Sequence, residues 1–226
     1  PQAVDAEAGP VEKAPMRTIA DTAHDYRLVT SAEEVREFLS VALAQQRFCF
    51  DLETTSLDPR EAEIVGIAFT WESGKGWFVR IAAEQSKTAA PESGLGLFEW
   101  GSHTHAAPAL GARLEELREL FTKPGVEKVG HNLKYDLAVL REHGLEVAGP
   151  FFDSMLAHAL VEPESRHGMD FLSEVYLGYT PISITALIGE KKGEQISMAA
   201  VANEQIEPRE RCLRSVPCDA GWPPKL

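Results

Sequence analysis

Two acids stand two residues apart in the apolar run Phe48-Cys49-Phe50-Asp51-Leu52-Glu53. On an extended strand, side chains alternate faces, so Phe48, Phe50 and Leu52 share one face and Asp51 and Glu53 the other. At a rise of ~3.3 Å per residue, the Cβ atoms of such a pair lie roughly 6–7 Å apart. From that spacing both carboxylates reach one hard cation, and without it neither is welcome away from water. A strand end turning into solvent also carries acids, so the pair alone leaves both readings open. A third acid, Asp136, follows in Val129-Gly130-His131-Asn132-Leu133-Lys134-Tyr135-Asp136-Leu137. Asn132 is expected to cap a helix. Leu133, Leu137 and Leu140 define its buried sector, and at about 100° per residue Asp136 falls beside Leu140 at the sector's edge. An acid there needs a partner. The dipole of the first helical turn supplies some of it, a cation supplies more, and a partly exposed first-turn acid is the alternative.

The elements around these residues are legible in outline. Tyr26 to Val29 is a short apolar run. Ser31 followed by Glu34 is a capping-box signature, and Val35, Phe38, Leu39 and Ala42 recur at helical spacing. Arg47–Glu53, Ile64–Trp71 and Gly76–Ile81 are expected as strands, the last two joined by the turn Glu72-Ser73-Gly74-Lys75. Residues 84–108 are expected to be an irregular insertion. Leu110, Leu114, Leu117 and Phe121 mark a helix that ends near Pro124-Gly125, and Val126–Val129 a strand. Helices are then expected from Asn132 to about Gly144, over Asp153–Val161, over Met169–Leu177 and over Ser197–Gln205. Strands as a meander, then alternating with helices, indicate an α/β fold with a mixed sheet flanked by helices.

Composition sets the frame. Of 226 residues, 44% are apolar and 25% charged, enough for a sizeable core. The net charge of −13 makes the chain a poor binder of duplex nucleic acid by charge alone. Nucleic acid would need a local groove or bound cations. Cys49, Cys212 and Cys218 lack zinc spacing, and Cys49 is expected in the core. An odd count without a secretory context gives the expectation of a reducing, cytoplasmic compartment. No segment approaches the ~20 apolar residues that span a bilayer, so no membrane partner is expected. Residues 1–24 are expected as a flexible linker. The opening Pro1, with no initiator Met, gives the expectation of a piece of a longer or processed protein.

Taken together, these segments resemble the proofreading 3′–5′ exonuclease domain of bacterial DNA polymerase I, in the DEDD exonuclease superfamily. The resemblance is carried by Asp51-Leu52-Glu53-Thr54-Thr55-Ser56-Leu57 and His131-Asn132-Leu133-Lys134-Tyr135-Asp136. Phe152-Asp153-Ser154-Met155-Leu156 and His167-Gly168-Met169-Asp170-Phe171-Leu172 add to it, over about residues 25–205. It implies a ribonuclease H-like mixed sheet flanked by helices, with an exonuclease-like domain over residues 25–206. It implies two divalent ions, Mg²⁺ or Mn²⁺. Asp51 would bridge them, Glu53 would hold the first and orient the attacking water, and Asp136 would support the second, largely through water. Thr54 and Leu57 would meet the terminal nucleotide, with Leu57 wedging against bases. Asn132 and Tyr135 would line the single-strand path, while His131 stands where the family often has Gln and its role is open. The partners implied are a single-stranded or frayed DNA 3′ end and a covalently linked polymerase domain in the full-length protein. Two metals ~3.5–4 Å apart activate a water and stabilise a leaving oxygen. A hard cation that keeps its own waters explains a site with few protein ligands.

One part of the family pattern is missing. Its third motif, Tyr-x-x-x-Asp, would follow the segment Gln195-Ile196-Ser197-Met198. The last tyrosines are Tyr176 and Tyr179, without Asp four residues on, and the only Asp after Asp170 is Asp219, preceded at that distance by Ser215. Residues 207–226, with four prolines, do not read as an amphipathic helix. Three accounts are open: an out-of-frame tail, which is preferred; a naturally silent module that binds single strands or supports a polymerase; or Asp219 as a substitute ligand. A ribonuclease D-like RNA-trimming exonuclease is a further alternative, because the first two motifs would serve it equally. Asp153 is expected as a helix cap and not a ligand. His103 and His105 are expected in a solvated loop, and Lys191-Lys192 in a loop able to touch backbone phosphate.

Overall fold

The computed structural model describes residues 16–81 and 112–182. The insertion at 84–108, His103, His105, Lys191, Lys192, the expected helix at 197–205 and the tail at 207–226 lie outside the described residues.

Strand β1 (Asp25–Val29) leads into helix α1 (Ala32–Ala42), whose start is the expected capping box. Ser31 Oγ accepts the Glu34 N–H at 3.2 Å, and Glu34 returns a carboxylate oxygen to the Ser31 N–H at 2.8 Å. Strands β2 (Arg47–Thr54), β3 (Ile64–Thr70) and β4 (Lys75–Arg80) follow as an antiparallel meander. The helix expected around Leu114–Phe121 is two short ones, α2 (Ala112–Glu116) and α3 (Arg118–Thr122). The chain tightens between them, where Leu117 N–H bonds the Leu114 carbonyl three residues back. Then come β5 (Glu127–Gly130), α4 (Leu133–Glu142), β6 (Phe151–Asp153), α5 (Ser154–Val161) and α6 (Met169–Leu172). A π-helical turn over Ser173–Leu177 ends at Gly178 in the left-handed region.

The six strands form one mixed sheet in the order β1-β4-β3-β2-β5-β6. β5 pairs parallel to β2, and β6 parallel to β5. The meander expected over Arg47–Glu53, Ile64–Trp71 and Gly76–Ile81 is present as β2, β3 and β4, and the Tyr26–Val29 run adds a strand, β1, that crosses over to pair in parallel with β4. Strand β6 was not expected at all; three residues carry no periodicity. The linker expected over residues 1–24 also differs in its last part. Arg17 exchanges backbone hydrogen bonds with Gly178 and Thr180, each 2.8 Å, and Ile19–Asp21 forms a 3₁₀ turn.

The core sits on the Phe48, Phe50 and Leu52 face of β2, where these side chains meet Phe38 of α1, Phe69 of β3, Phe121 of α3 and Leu133 and Leu140 of α4. Phe50 and Phe121 meet edge to face with ring centroids 5.1 Å apart. Cys49 is buried, as expected. Lys128, in the middle of β5, is fully buried. Its ammonium donates to the carbonyls of Lys123 and Ala148 at 2.6 Å each, and burial pulls it down to about 8. Among the described residues no helix is long and apolar enough to cross a membrane.

Candidate active site

β2 is a central strand, paired on one side with β3 and on the other with β5. Its first acid, Asp51, is partly buried, and its second, Glu53, is only 6% exposed. Small residues stand opposite both on β3: Asp51 pairs with Ala68 and Glu53 with Gly66. The register then slips between Glu53 and Thr54, a bulge that ends the regular ladder where the acidic pair ends.

Helix α4 brings the third acid to this strand. Asp136 is 3% exposed, and its Oδ1 accepts the backbone N–H of Leu52 at 3.0 Å. The contact lands on the residue between Asp51 and Glu53. The buried residues of α4 are Leu133, Asp136, Val139 and Leu140, with Leu137 only half-buried. Asp136 therefore lies on the inward face, not at its edge as expected, because Val139 and not Leu137 completes that face. Desolvation, with Asp153 and Glu53 as like-charged neighbours, pushes the Asp136 carboxyl up to about 7, against the pull of the Leu52 N–H.

The approach of α4 is set at its first residue. A Cβ on Gly130 would stand 2.4 Å from Leu133 Cδ2 and 3.2 Å from the Phe50 carbonyl oxygen. Glycine is thus what lets Leu133 close onto β5. Asn132 holds the N-cap position, but in the left-handed region at φ 65°, and its side chain does not cap. This corrects the expected cap, and Asn tolerates the conformation better than most residues. The N–H groups of Asn132 and Leu133 go instead to the carboxylate of Asp153, at 3.0 and 2.8 Å. Asp153 also caps α5, as expected, accepting from Met155 and Leu156.

Thr54 and Tyr135 are brought together. Tyr135 Oη lies 2.6 Å from Thr54 Oγ1 and donates to the Ser56 carbonyl at 2.5 Å. Burial raises the Tyr135 phenol, opposed by Thr54 and reinforced by Asp136, Asp51 and Glu53. Leu57, three residues beyond Thr54, is 93% exposed. Asn132 is partly buried at the start of α4. His131 Nδ1 lies 2.9 Å from Ser154 Oγ, which donates to the Gly130 carbonyl. Burial depresses the His131 imidazole, against Asp153 and Asp170. Sequence reasoning missed a second imidazole cluster, in which His158 Nδ1 and His167 Nδ1 are 2.7 Å apart and His158 Nε2 is 3.1 Å from Tyr176 Oη. Its only signal was a His on an otherwise apolar helix.

The donor set suits a hard divalent cation. It offers carboxylate oxygens only, two of the three acids are buried, and burial is what raises the carboxyl of the most buried one, Asp136. Among the described residues no group of three or more His, Cys, Asp or Glu side chains is placed so that it could hold a metal ion by itself.

The sheet order and flanking helices define a ribonuclease H-like α/β domain with an acidic centre on its middle strand. Solved structures share this fold: Brucella melitensis NrnC with bound Mg²⁺ is 17% identical with a TM-score of 0.57, covering 86% of this chain and 76% of that one. Escherichia coli RNase D is 15% identical with a TM-score of 0.54, covering 85% and 42%. The chain belongs to the 3′–5′ exonuclease family, whose model matches residues 26–207. Relatives include DNA polymerase I of Pseudomonas aeruginosa, 30% identical over 81% of this chain and 19% of that protein. DNA polymerase I of Rhizobium leguminosarum is 36% identical over 69% of this chain and 15% of that protein. The chain thus spans a fifth or less of the length of these relatives.

Proposed function

We propose that the chain is the proofreading exonuclease domain of a DNA polymerase I-type protein, hydrolysing nucleotides from a single-stranded or frayed DNA 3′ end, with a polymerase domain covalently attached in the full-length protein. The observation that carries this reading is Asp136 seated on the Leu52 N–H, between Asp51 and Glu53, in a chain of the exonuclease family. Asp51, Glu53 and Asp136 would hold two Mg²⁺ or Mn²⁺ ions. When bound, these supply an activated water and charge compensation at the leaving oxygen. Glu53, two residues on from Asp51, would orient the water. Thr54 and Tyr135, fastened to each other, present one polar surface to the terminal nucleotide. Leu57 offers an apolar edge against bases, and Asn132 lies along the single-strand path. Stacking and bound cations together offset the repulsion between phosphate and a chain of net charge −13. DNA is preferred over RNA because the relatives at 30–36% identity are DNA polymerases. The domain would span residues 25–206, with the work done in the cytoplasm.

A second reading, a silent single-strand-binding or structural module, is favoured by one observation: no Tyr-x-x-x-Asp follows Gln195. A site short of one carboxylate binds metal more weakly, so this chain is expected to show weak turnover or none. Release of nucleotides from a 5′-labelled single strand, with Mg²⁺ or Mn²⁺ and with matched DNA and RNA, tests both readings. Any metal-dependent release should vanish in Asp51→Ala, and full activity in that variant refutes the metal assignment. Reading the gene past the Gln205 codon in all frames should reveal the missing motif if the tail is out of frame.

A further inference from the structure

We propose that Asp153 is a positioning residue for Asp136: one carboxylate fixes where helix α4 begins, and through it where the third acid meets strand β2. This rests on the nuclease reading above. Asp153 is the last residue of β6 and pairs in register with Gly130, the last residue of β5. Its Oδ2 takes the Leu133 N–H at 2.8 Å, and its Oδ1 takes the Asn132 N–H at 3.0 Å. The same Oδ1 accepts from Met155 at 2.9 Å and Leu156 at 3.3 Å. One side chain thus satisfies backbone donors at the origins of two helices, α4 and α5, from the end of a sheet strand. Charged acceptors at helix N-termini make stronger hydrogen bonds than neutral ones.

The arrangement matters because α4 has no cap of its own. Asn132 is left-handed and its side chain accepts nothing from the helix, so the first turn is placed by a residue about twenty positions downstream. Asp136 lies in that turn. Its contact to Leu52 and the Tyr135 contacts to Thr54 and Ser56 hold the turn from the β2 side. Asp153 holds it from the β6 side. Without Asp153 the turn is anchored on one side only, and Asp136 loses its fixed height above β2.

The test uses the 226-residue chain with Asp153→Asn and Asp153→Ala. Mn²⁺ binding is followed by the signal of free Mn²⁺, and amide exchange is read at Leu52 relative to Phe50. The alanine variant should need on the order of tenfold more Mn²⁺ for half-saturation, the scale on which supporting partners of metal ligands act. The asparagine variant, which keeps one oxygen acceptor, should lose less. Leu52 exchange should accelerate while Phe50 exchange changes little. On an Asp136→Ala background, Asp153→Ala should add nothing to the Mn²⁺ requirement. If the alanine variant does not fold, Asp153→Asn carries the same comparisons. Normal Mn²⁺ binding and Leu52 protection in a folded Asp153 variant, or equal losses on both backgrounds, overturn the proposal alone. Absence of Mn²⁺ binding in the unaltered chain overturns the nuclease reading and this proposal with it.

Discussion

Replacing Asp136 by Asn should stabilise the metal-free protein. The Asp136 carboxyl rises from 3.8 to about 7 on folding, so the folded state holds a proton that the unfolded chain has released between those values. Stability from this group therefore falls as pH climbs from about 4 to about 7, and the loss is complete above 7. Three pH units at 1.36 kcal/mol each put that cost at roughly 4 kcal/mol. Asn keeps an oxygen for the Leu52 N–H but buries an amide donor, which returns about 1–3 kcal/mol of penalty when unpaired. The net gain is about 1–3 kcal/mol, or several degrees of melting temperature at this size. Thermal or urea unfolding in EDTA from pH 4 to 8 measures it. The difference between the two proteins isolates Asp136 from other carboxylates such as Glu34, whose pKa is drawn down by its capping-box donors. Mg²⁺ should then narrow or reverse the ranking, because only the charged site gains fully from the ion. An Asn variant less stable than the parent at pH 8 in EDTA, or a pH-independent difference, would show that Asp136 is compensated without a cation.

Two other predictions address the scaffold. Lys128 is pulled down to about 8 on folding, so the unfolded chain binds the extra proton above that pH and stability should rise between about 8 and 10.5; in Lys128→Met that rise should disappear, as read by urea midpoints at pH 7.5 and 10. Gly130→Ala places a methyl group 2.4 Å from Leu133 Cδ2 and should cost about 1–3 kcal/mol. It should also weaken metal binding, since α4 must back away from β5; unchanged stability would mean that Leu133 yields freely.

The strand that carries Asp51 and Glu53 was legible because Phe48, Phe50 and Leu52 alternate with them at a strand's two-residue period. Ser31 and Glu34 were legible for a similar reason, since capping is local. What escaped was decided across the sheet. Counting apolar residues picks Leu137 as the inward residue of α4, yet Val139 completes that face, which turns Asp136 inward onto the Leu52 N–H. Asn132 has the right chemistry for a cap but the wrong backbone angle, and its task passes to Asp153, which only the pairing of β5 with β6 brings near. Residues 16–24 look like a linker in composition, yet the backbone groups of Arg17 find partners at Gly178 and Thr180, more than 150 positions away. His158 and His167 meet through the fold of a segment whose path no local pattern announces.

The order of the strands also bears on how the molecule assembles. β2, β3 and β4 are joined by short connections, whereas β1 can dock only on a β4 already in place, and β6 only on β5. Long-range pairings form after local ones have shortened the effective loops. By that rule β3 pairs with β4, and β5 with β6, before β2 is joined to β5, so the strand bearing Asp51 and Glu53 and the helix bearing Asp136 belong to two halves whose junction closes late.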